Sequence, residues 1–248
     1  YSVMRRIREK YPHVIVQSCS SGGGRVDFGA LSLFDEVWTS DNTEGLSRVF
    51  IQYGTNMIYP ACVTGSHVSA VPNHQSGNVT PMKFRFDIAA AGRLGMELQP
   101  KNMTEEEKTF ARKAIESYKG YRDLVFGGDL YRLADPYDGQ HYALMYVSKD
   151  RSRAVVFAYT IKYQARTQIF DLRLAGLDPD RRYKVTEQNK KFELQTERLS
   201  KIASAKGVVV DEGTTTNETG RIWTTAQGFK YYLADVNARI FEPLSESG

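Results

Sequence analysis

The sequence predicts an α/β layer over residues 1–120 followed by an antiparallel all-β domain, a sandwich, over residues 121–248. Three observations predict it. Short apolar runs alternate with helical periods in the first part. A strongly capped helix ends that part. Short, alternating or β-branched segments fill the second part, separated by turn signals at Asp135-Pro, Asp138-Gly, Lys149-Asp and Asp178-Pro.

Taken in order, residues 2–10 read as a helix, with Val3, Met4 and Ile7 apolar. Residues 14–19 form a short apolar run after a proline and read as a buried strand, and residues 36–40 read as a second strand. Between 44 and 54, Leu46, Val49, Phe50 and Tyr53 fall at helical spacing. The run Met57-Ile-Tyr-Pro-Ala-Cys-Val63 reads as a third strand, 84–92 as a helix and 95–98 as a fourth strand. Repeated strand–helix units imply a parallel sheet covered by helices. Thr104-x-x-Glu107 is a capping box, and its helix is expected to run to about Tyr118 with Phe110, Ala111, Ala114 and Tyr118 on one face. Strands are then expected at 141–147, 154–159, 168–172, 182–186, 208–210, 222–225 and 230–234.

Composition narrows the function classes. With 41% hydrophobic and 25% charged residues in a chain of 248, the protein is globular rather than disordered. The net charge of +4 is spread along the chain, and the basic stretches at 151–153 and 181–182 are short enough to be solvated turns. A nucleic-acid surface needs a denser basic stripe. The two cysteines, Cys19 and Cys62, make no disulfide framework, and no Cys-x-x-Cys or His/Cys cluster suggests a metal. No run of about 18 apolar residues spans a membrane. Two unpaired cysteines fit a cytoplasmic chain. The sequence opens on Tyr1 and enters a helix at once, which reads as a piece of something longer.

Polar and glycine-rich residues gather after the predicted strands. Cys19-Ser-Ser-Gly-Gly-Gly-Arg25-Val-Asp27 follows the first, and Trp38-Thr-Ser-Asp41-Asn-Thr-Glu44 ends the second. Gly65-Ser-His-Val-Ser69 and Pro72-Asn-His-Gln75 follow the third. Parallel α/β folds and barrels carry active sites at the carboxyl ends of their strands. The triple glycine lacks the Gly-Lys-Ser/Thr ending of a phosphate loop. It reads either as a loop needing unusual φ/ψ or, with more weight, as a place where a ligand approaches the backbone. Asp41, after a strand and before a helix, reads first as an N-cap and second as a catalytic acid. Trp38, three residues earlier, raises the second reading, because sugars stack on aromatic rings. Asp27, Asp35, Glu36 and Glu44 are competing carboxylates, with Asp35 and Glu36 at the far end of the strand. His67 and His74 read as loop residues packing the site floor. Ser20 and Ser21 have no Gly-x-Ser-x-Gly elbow around them.

These tracts, with Ile51-Gln-Tyr-Gly-Thr55, resemble the family 36 α-galactosidases, the melibiase and raffinose-type enzymes, strongly over residues 10–100. The resemblance implies the C-terminal half of a (β/α)₈ barrel followed by a C-terminal antiparallel β-domain. It implies a retaining, exo-acting hydrolase of terminal α-galactosides that needs no cofactor and whose full-length form is a homo-oligomer. By the same resemblance Asp41 matches the acid/base, Cys19, Ser21 and Arg25 match the loop contacting galactose, and Trp38 matches the motif tryptophan near the sugar.

The chain also departs from the family pattern. The nucleophile of such enzymes is an Asp in a Lys-Trp-Asp motif on an earlier strand, and none of the 18 residues before Cys19 is Asp. The isolated chain is therefore expected to be inactive. Ser21 stands where many members have Gly, so an α-N-acetylgalactosaminidase is a second expectation. Two further readings are a fragment serving assembly and a non-catalytic sugar-binding module, with Tyr142, Tyr146, Tyr159 and Tyr163 lining a groove.

Overall fold

Strand–helix alternation in the first part produces a parallel sheet, because each helix carries the chain back across the sheet before the next strand begins. The structure is a computed structural model that describes residues 1–162, 172–181, 183–187 and 238–243. The chain divides into two compact units, Tyr1–Ala111 and Arg112–Gly248, each described by itself below.

The first unit opens with α1 (Ser2–Lys10) and continues through β1 (Gln17–Ser18), the short α2 (Phe28–Leu31), β2 (Glu36–Trp38) and α3 (Gly45–Thr55). It then runs through β3 (Thr64–Ser69), α4 (Met82–Ala90) and β4 (Arg93–Glu97). The sheet order is β1-β2-β3-β4, all parallel, as expected for part of a barrel. One face carries Val37 and Val68, both fully buried. On that face Ser66 Oγ bonds the Gln52 amide oxygen of α3, and Gln52 Nε2 donates to the Ile88 carbonyl of α4 at 2.9 Å. The other face carries Gln17, Glu36, Trp38, Gly65, His67, Arg93 and Gly95, as the register pairs Trp38 with Gly65 and His67 with Gly95. This face is polar: Glu36 accepts from Gln17 at 2.6 Å and pairs with Arg93 at 2.8 Å.

Several expectations fail here. The first strand shrinks from 14–19 to two residues, and Val14 and Ile15 are 51% and 69% exposed rather than buried. Among the described residues β1 pairs only with β2, so its other edge is open. The third strand is not 57–63: Met57 and Ile58 are exposed, Ala61–Val63 is a 3-10 turn after Pro60, and the strand is Thr64–Ser69. His67 therefore sits on a strand, not in a loop. The buried face of α3 is Gly45, Arg48, Val49 and Gln52, while Leu46 is exposed. In each case most buried positions are glycine or polar residues, so hydrophobicity pointed elsewhere.

The capping box forms as predicted: Thr104 N donates to Glu107 Oε2 at 2.9 Å and Glu107 N to Thr104 Oγ1 at 3.1 Å. The helix it opens, α5 (Glu105–Gly127), runs past Tyr118 through Gly120. A mid-helix glycine costs about 1 kcal/mol. Burying Tyr121 and Leu124 on the next turn contributes roughly 1.5–3 kcal/mol each, so the helix continues.

The second unit holds β5 (Asp129–Ala134), β6 (His141–Val147), β7 (Ala154–Thr160), β8 (Tyr183–Glu187) and β9 (Ala238–Pro243). They form one antiparallel sheet ordered β5-β6-β7-β9-β8. β5 and β9 lie outside the segments expected to be strands. The strands expected at 208–210, 222–225 and 230–234, and all of 168–172 but Leu172, lie outside the described residues. Tyr142, Tyr146 and Tyr159 are buried, and Tyr142 stacks on its cross-strand partner Tyr159 with ring centroids 5.5 Å apart. These three are core residues and line no sugar groove. Tyr163 lies outside the described residues.

Candidate active site

Parallel strands end on the same edge of a sheet, so the tracts after β1, β2 and β3 converge there. The segment after β2 organises itself. Ser40 Oγ accepts from Asn42 N at 3.1 Å, Asn42 Oδ1 from Glu44 N at 3.0 Å, and the Glu44 carboxylate from Leu46 N and Ser47 N at 3.0 and 2.7 Å. Each even-numbered side chain thus caps backbone amides ahead of it, as short polar side chains do in turns and at helix starts. Glu44, not Asp41, is the N-cap of α3.

Thr43 and Asp41 alternate out of that relay. The Thr43 carbonyl accepts from Ser69 Oγ at 2.8 Å, and its hydroxyl from Asn73 Nδ2 at 3.3 Å, which clasps the loop after β3 to the loop after β2. Arg85 of α4 donates to the Ser69 carbonyl and holds the same corner. Asp41 is exposed, and its carboxylate accepts one hydrogen bond among the described residues, from the Trp38 indole Nε1 at 3.0 Å.

The other carboxylates of the segment are committed. Asp27 caps α2, accepting from Ala30 N at 2.7 Å and from the Tyr1 hydroxyl on both oxygens. Those bonds, Ala30's first, hold its carboxyl below the usual range. Asp35 receives both Arg8 guanidinium nitrogens at 2.9 Å, and Glu36 pairs with Arg93. Glu44 is buried under Ser47, whose Oγ also donates to it at 2.9 Å.

The glycine loop lies against the same segment. Ser20, Ser21, Gly22 and Gly23 have φ of 65°, 55°, 70° and 87°, four left-handed residues in a row. A Cβ on Gly22 would lie 2.7 Å from Asp41 N, and one on Gly23 would lie 3.0 Å from the Trp38 carbonyl. The unusual φ is therefore present, and the backbone that the glycines admit is the chain's own turn after β2 rather than a ligand's approach. Cys19, Ser21 and Arg25 are exposed on this loop, whereas Trp38 is only 9% exposed. The Trp38 ring lies 4.5 Å from the His67 ring, which covers Gly95, and 5.6 Å from the Arg48 guanidinium carbon. Burial first, and the Arg48 charge with it, push His67 below the ordinary imidazole value against the opposing pull of Glu97 and Glu36. His74 is exposed in the loop after β3.

Arg48, Thr43, Ser69 and Asn73 escaped the sequence reading. Thr43, Ser69 and Asn73 lie inside the polar tracts after the strands, and that clustering is the signal they left. Among the described residues no group of three His, Cys, Asp or Glu side chains could hold a metal, and no helix is long and apolar enough to cross a membrane.

Comparison with known families places the chain. The melibiase family model matches residues 1–128, over half of the chain. The chain belongs to the melibiase family. The model of the glycosyl hydrolase family 36 C-terminal domain matches residues 141–226. The chain is similar to α-galactosidase AgaA of Geobacillus stearothermophilus, 44% identical over 185 residues, 75% of this chain and 25% of that protein. It is similar also to the bifunctional α-galactosidase/sucrose kinase AgaSK of Mediterraneibacter gnavus, 40% identical over 77% of this chain and 20% of that protein. The chain thus spans about a quarter of the length of such melibiase relatives. Among solved structures, that of AgaA matches at a TM-score of 0.78 and 36% identity, covering 98% of this chain and 31% of its own. That of the Lactobacillus brevis α-galactosidase matches at 0.78 and 28%, covering 100% of this chain and 31% of its own.

The amide relay makes one prediction about this melibiase segment. Glu44→Ala removes the N-cap of α3 and leaves buried amides unpaired, so the protein should lose about 1–2 kcal/mol of stability. Urea unfolding of the variant against the parent measures it. An unchanged midpoint would show that the cap carries no weight.

Proposed function

We propose that this chain is part of a retaining α-galactosidase that removes terminal galactose from raffinose-type sugars, with Asp41 as acid/base. One observation carries the reading: Asp41 is the carboxylate of the 19–44 segment left exposed at the strand ends and free of capping or ion pairing. Complexes of AgaA variants with raffinose and with stachyose support the substrate class. A retaining hydrolase sets two carboxyl groups about 5–5.5 Å apart, one attacking the anomeric carbon and the other protonating the leaving oxygen and then activating water. In our reading Asp41 is the second group, the nucleophile comes from an earlier strand of the longer protein, and residues 1–120 form the catalytic wall that residues 121–248 accompany. The Trp38 N–H aims the Asp41 carboxylate, and Cys19, Ser21 and Arg25 meet the sugar. Substitution of Asp41, worked out in the Discussion, is the test.

A second reading concerns the sugar. Ser21 keeps a left-handed backbone although it has a Cβ, a strain of about 1–2 kcal/mol that glycine avoids. Retained strain beside a site points to use of its hydroxyl, which favours discrimination at C2 of the sugar, including an N-acetyl group. Ser21→Gly should raise stability by about 0.5–1 kcal/mol while changing the ratio of α-galactoside to α-N-acetylgalactosaminide hydrolysis. Thermal unfolding and paired rate measurements check both. An unchanged ratio removes the second reading.

A further inference from the structure

Arg48 belongs to the fully buried face of α3, and its exposure is 2%. Among the described residues no carboxylate pairs with it. Its guanidinium instead donates to the Gly65 carbonyl of β3 at 2.7 Å, with longer contacts of 3.4 Å to the Ser40 carbonyl and to Gln52 Oε1. Its carbon lies 5.6 Å from the centre of the Trp38 ring, within cation–π range. Burial pushes the guanidinium down to about 10, so the charge is held there at a cost. A buried charge with no direct ion pair, drawn on only by the more distant Glu97, is a poor device for stability, since an apolar side chain of the same volume would fill the space more cheaply. What an apolar side chain cannot do is join fixed points. Arg48 joins three fixed points: the start of β3 at Gly65, the turn after β2 at Ser40, and the indole of Trp38.

Trp38 is the group whose N–H holds Asp41 Oδ1 at 3.0 Å. We propose that Arg48 is a positioning residue for the Asp41 carboxylate, acting from α3 through the Trp38 indole and the turn that carries Asp41. The proposal rests on the reading of Asp41 as acid/base. Planarity and a fork of donors suit the role, because one flat group lies within cation–π range of the ring while its edges meet carbonyls. Lysine keeps the charge but supplies a single point.

The test uses a protein of the relatives' length carrying this segment, with Arg48→Gln, Arg48→Lys and Asp41→Asn measured side by side. Two substrates are compared by kcat/KM: raffinose, whose leaving sugar needs protonation, and dinitrophenyl α-galactoside, whose leaving group departs without it. A misaimed acid hurts only the first. Arg48→Gln is expected to lower kcat/KM on raffinose by about tenfold or more and on the activated galactoside by less than about threefold, with Arg48→Lys in the same direction. Equal losses on both substrates, or no loss, overturn the proposal. Should the Gln variant fail to accumulate as folded protein, the Lys variant is judged by the same two criteria. Asp41→Asn separates the two ideas. If it shows the selective loss and the Arg48 variants do not, Arg48 is structural and the reading of Asp41 stands. If it hydrolyses both substrates as the parent does, the reading of Asp41 fails and the role of Arg48 falls with it.

Discussion

Asp41→Asn, in a protein of the relatives' length, is expected to lower kcat/KM on raffinose by about 10²–10⁴-fold, the usual worth of a positioned acid or base. Asn keeps the shape of the carboxyl and still accepts from the Trp38 indole N–H, so the fold of the 38–44 turn should survive. What it lacks is a transferable proton. Hydrolysis on an activated aryl galactoside should therefore fall far less at the bond-breaking step, while the water-activating step slows. Circular dichroism and unfolding curves matching the parent would show that the loss is chemical. Retention of full activity on raffinose would end the assignment. The contrast with neighbours sharpens the test. Asp27, Asp35, Glu36 and Glu44 are each tied to a helix start or a basic side chain, so their removal should cost stability rather than the acid-dependent step.

The 248-residue chain by itself is expected to turn over an α-galactoside at least about 10⁴-fold more slowly than a protein of the relatives' length. The double displacement needs two carboxyl groups facing one bond. Within residues 19–44 the carboxylates other than Asp41 are bound into caps and ion pairs, so that segment offers no second group. The wall is also uncovered. Val14, Ile15 and Phe28 are exposed in this chain, and β1 has a neighbour on one side only among the described residues. Such edges favour association. Assay of the purified chain beside the longer protein, with its aggregation state followed by light scattering, measures both consequences. Turnover within about tenfold of the longer protein would mean that a second carboxylate in this chain serves as nucleophile, and Asp27 would be the first to replace.

Legibility differed by element for physical reasons. The capping box of α5 was readable because its two hydrogen bonds are local, and local chemistry needs no tertiary context. The strands β6 and β7 were readable because they are apolar almost throughout and buried almost throughout. β3 was misplaced, expected at 57–63 and found at 64–69. Its exposed-looking Gly65 and His67 are the positions over which Trp38 and its neighbours pack, so the residues that build the site are the ones hydrophobicity overlooks. The buried face of α3 was misjudged for the same reason, since Arg48 and Gln52 earn their burial through carbonyl and hydroxyl partners that only the folded sheet supplies.

By itself the sequence determined the alternation of strands and helices, the change to β-structure after the long helix, and the ordered motifs that point to the melibiase family, because these depend on local pattern and residue order. Only the tertiary structure decided which carboxylate of residues 19–44 is uncommitted. Capping and ion pairing depend on partners up to 57 residues away, as between Glu36 and Arg93. The N-cap that the pattern offered to Asp41 belongs to Glu44, and that reassignment is what leaves Asp41 with the indole of Trp38 as its hydrogen-bond donor.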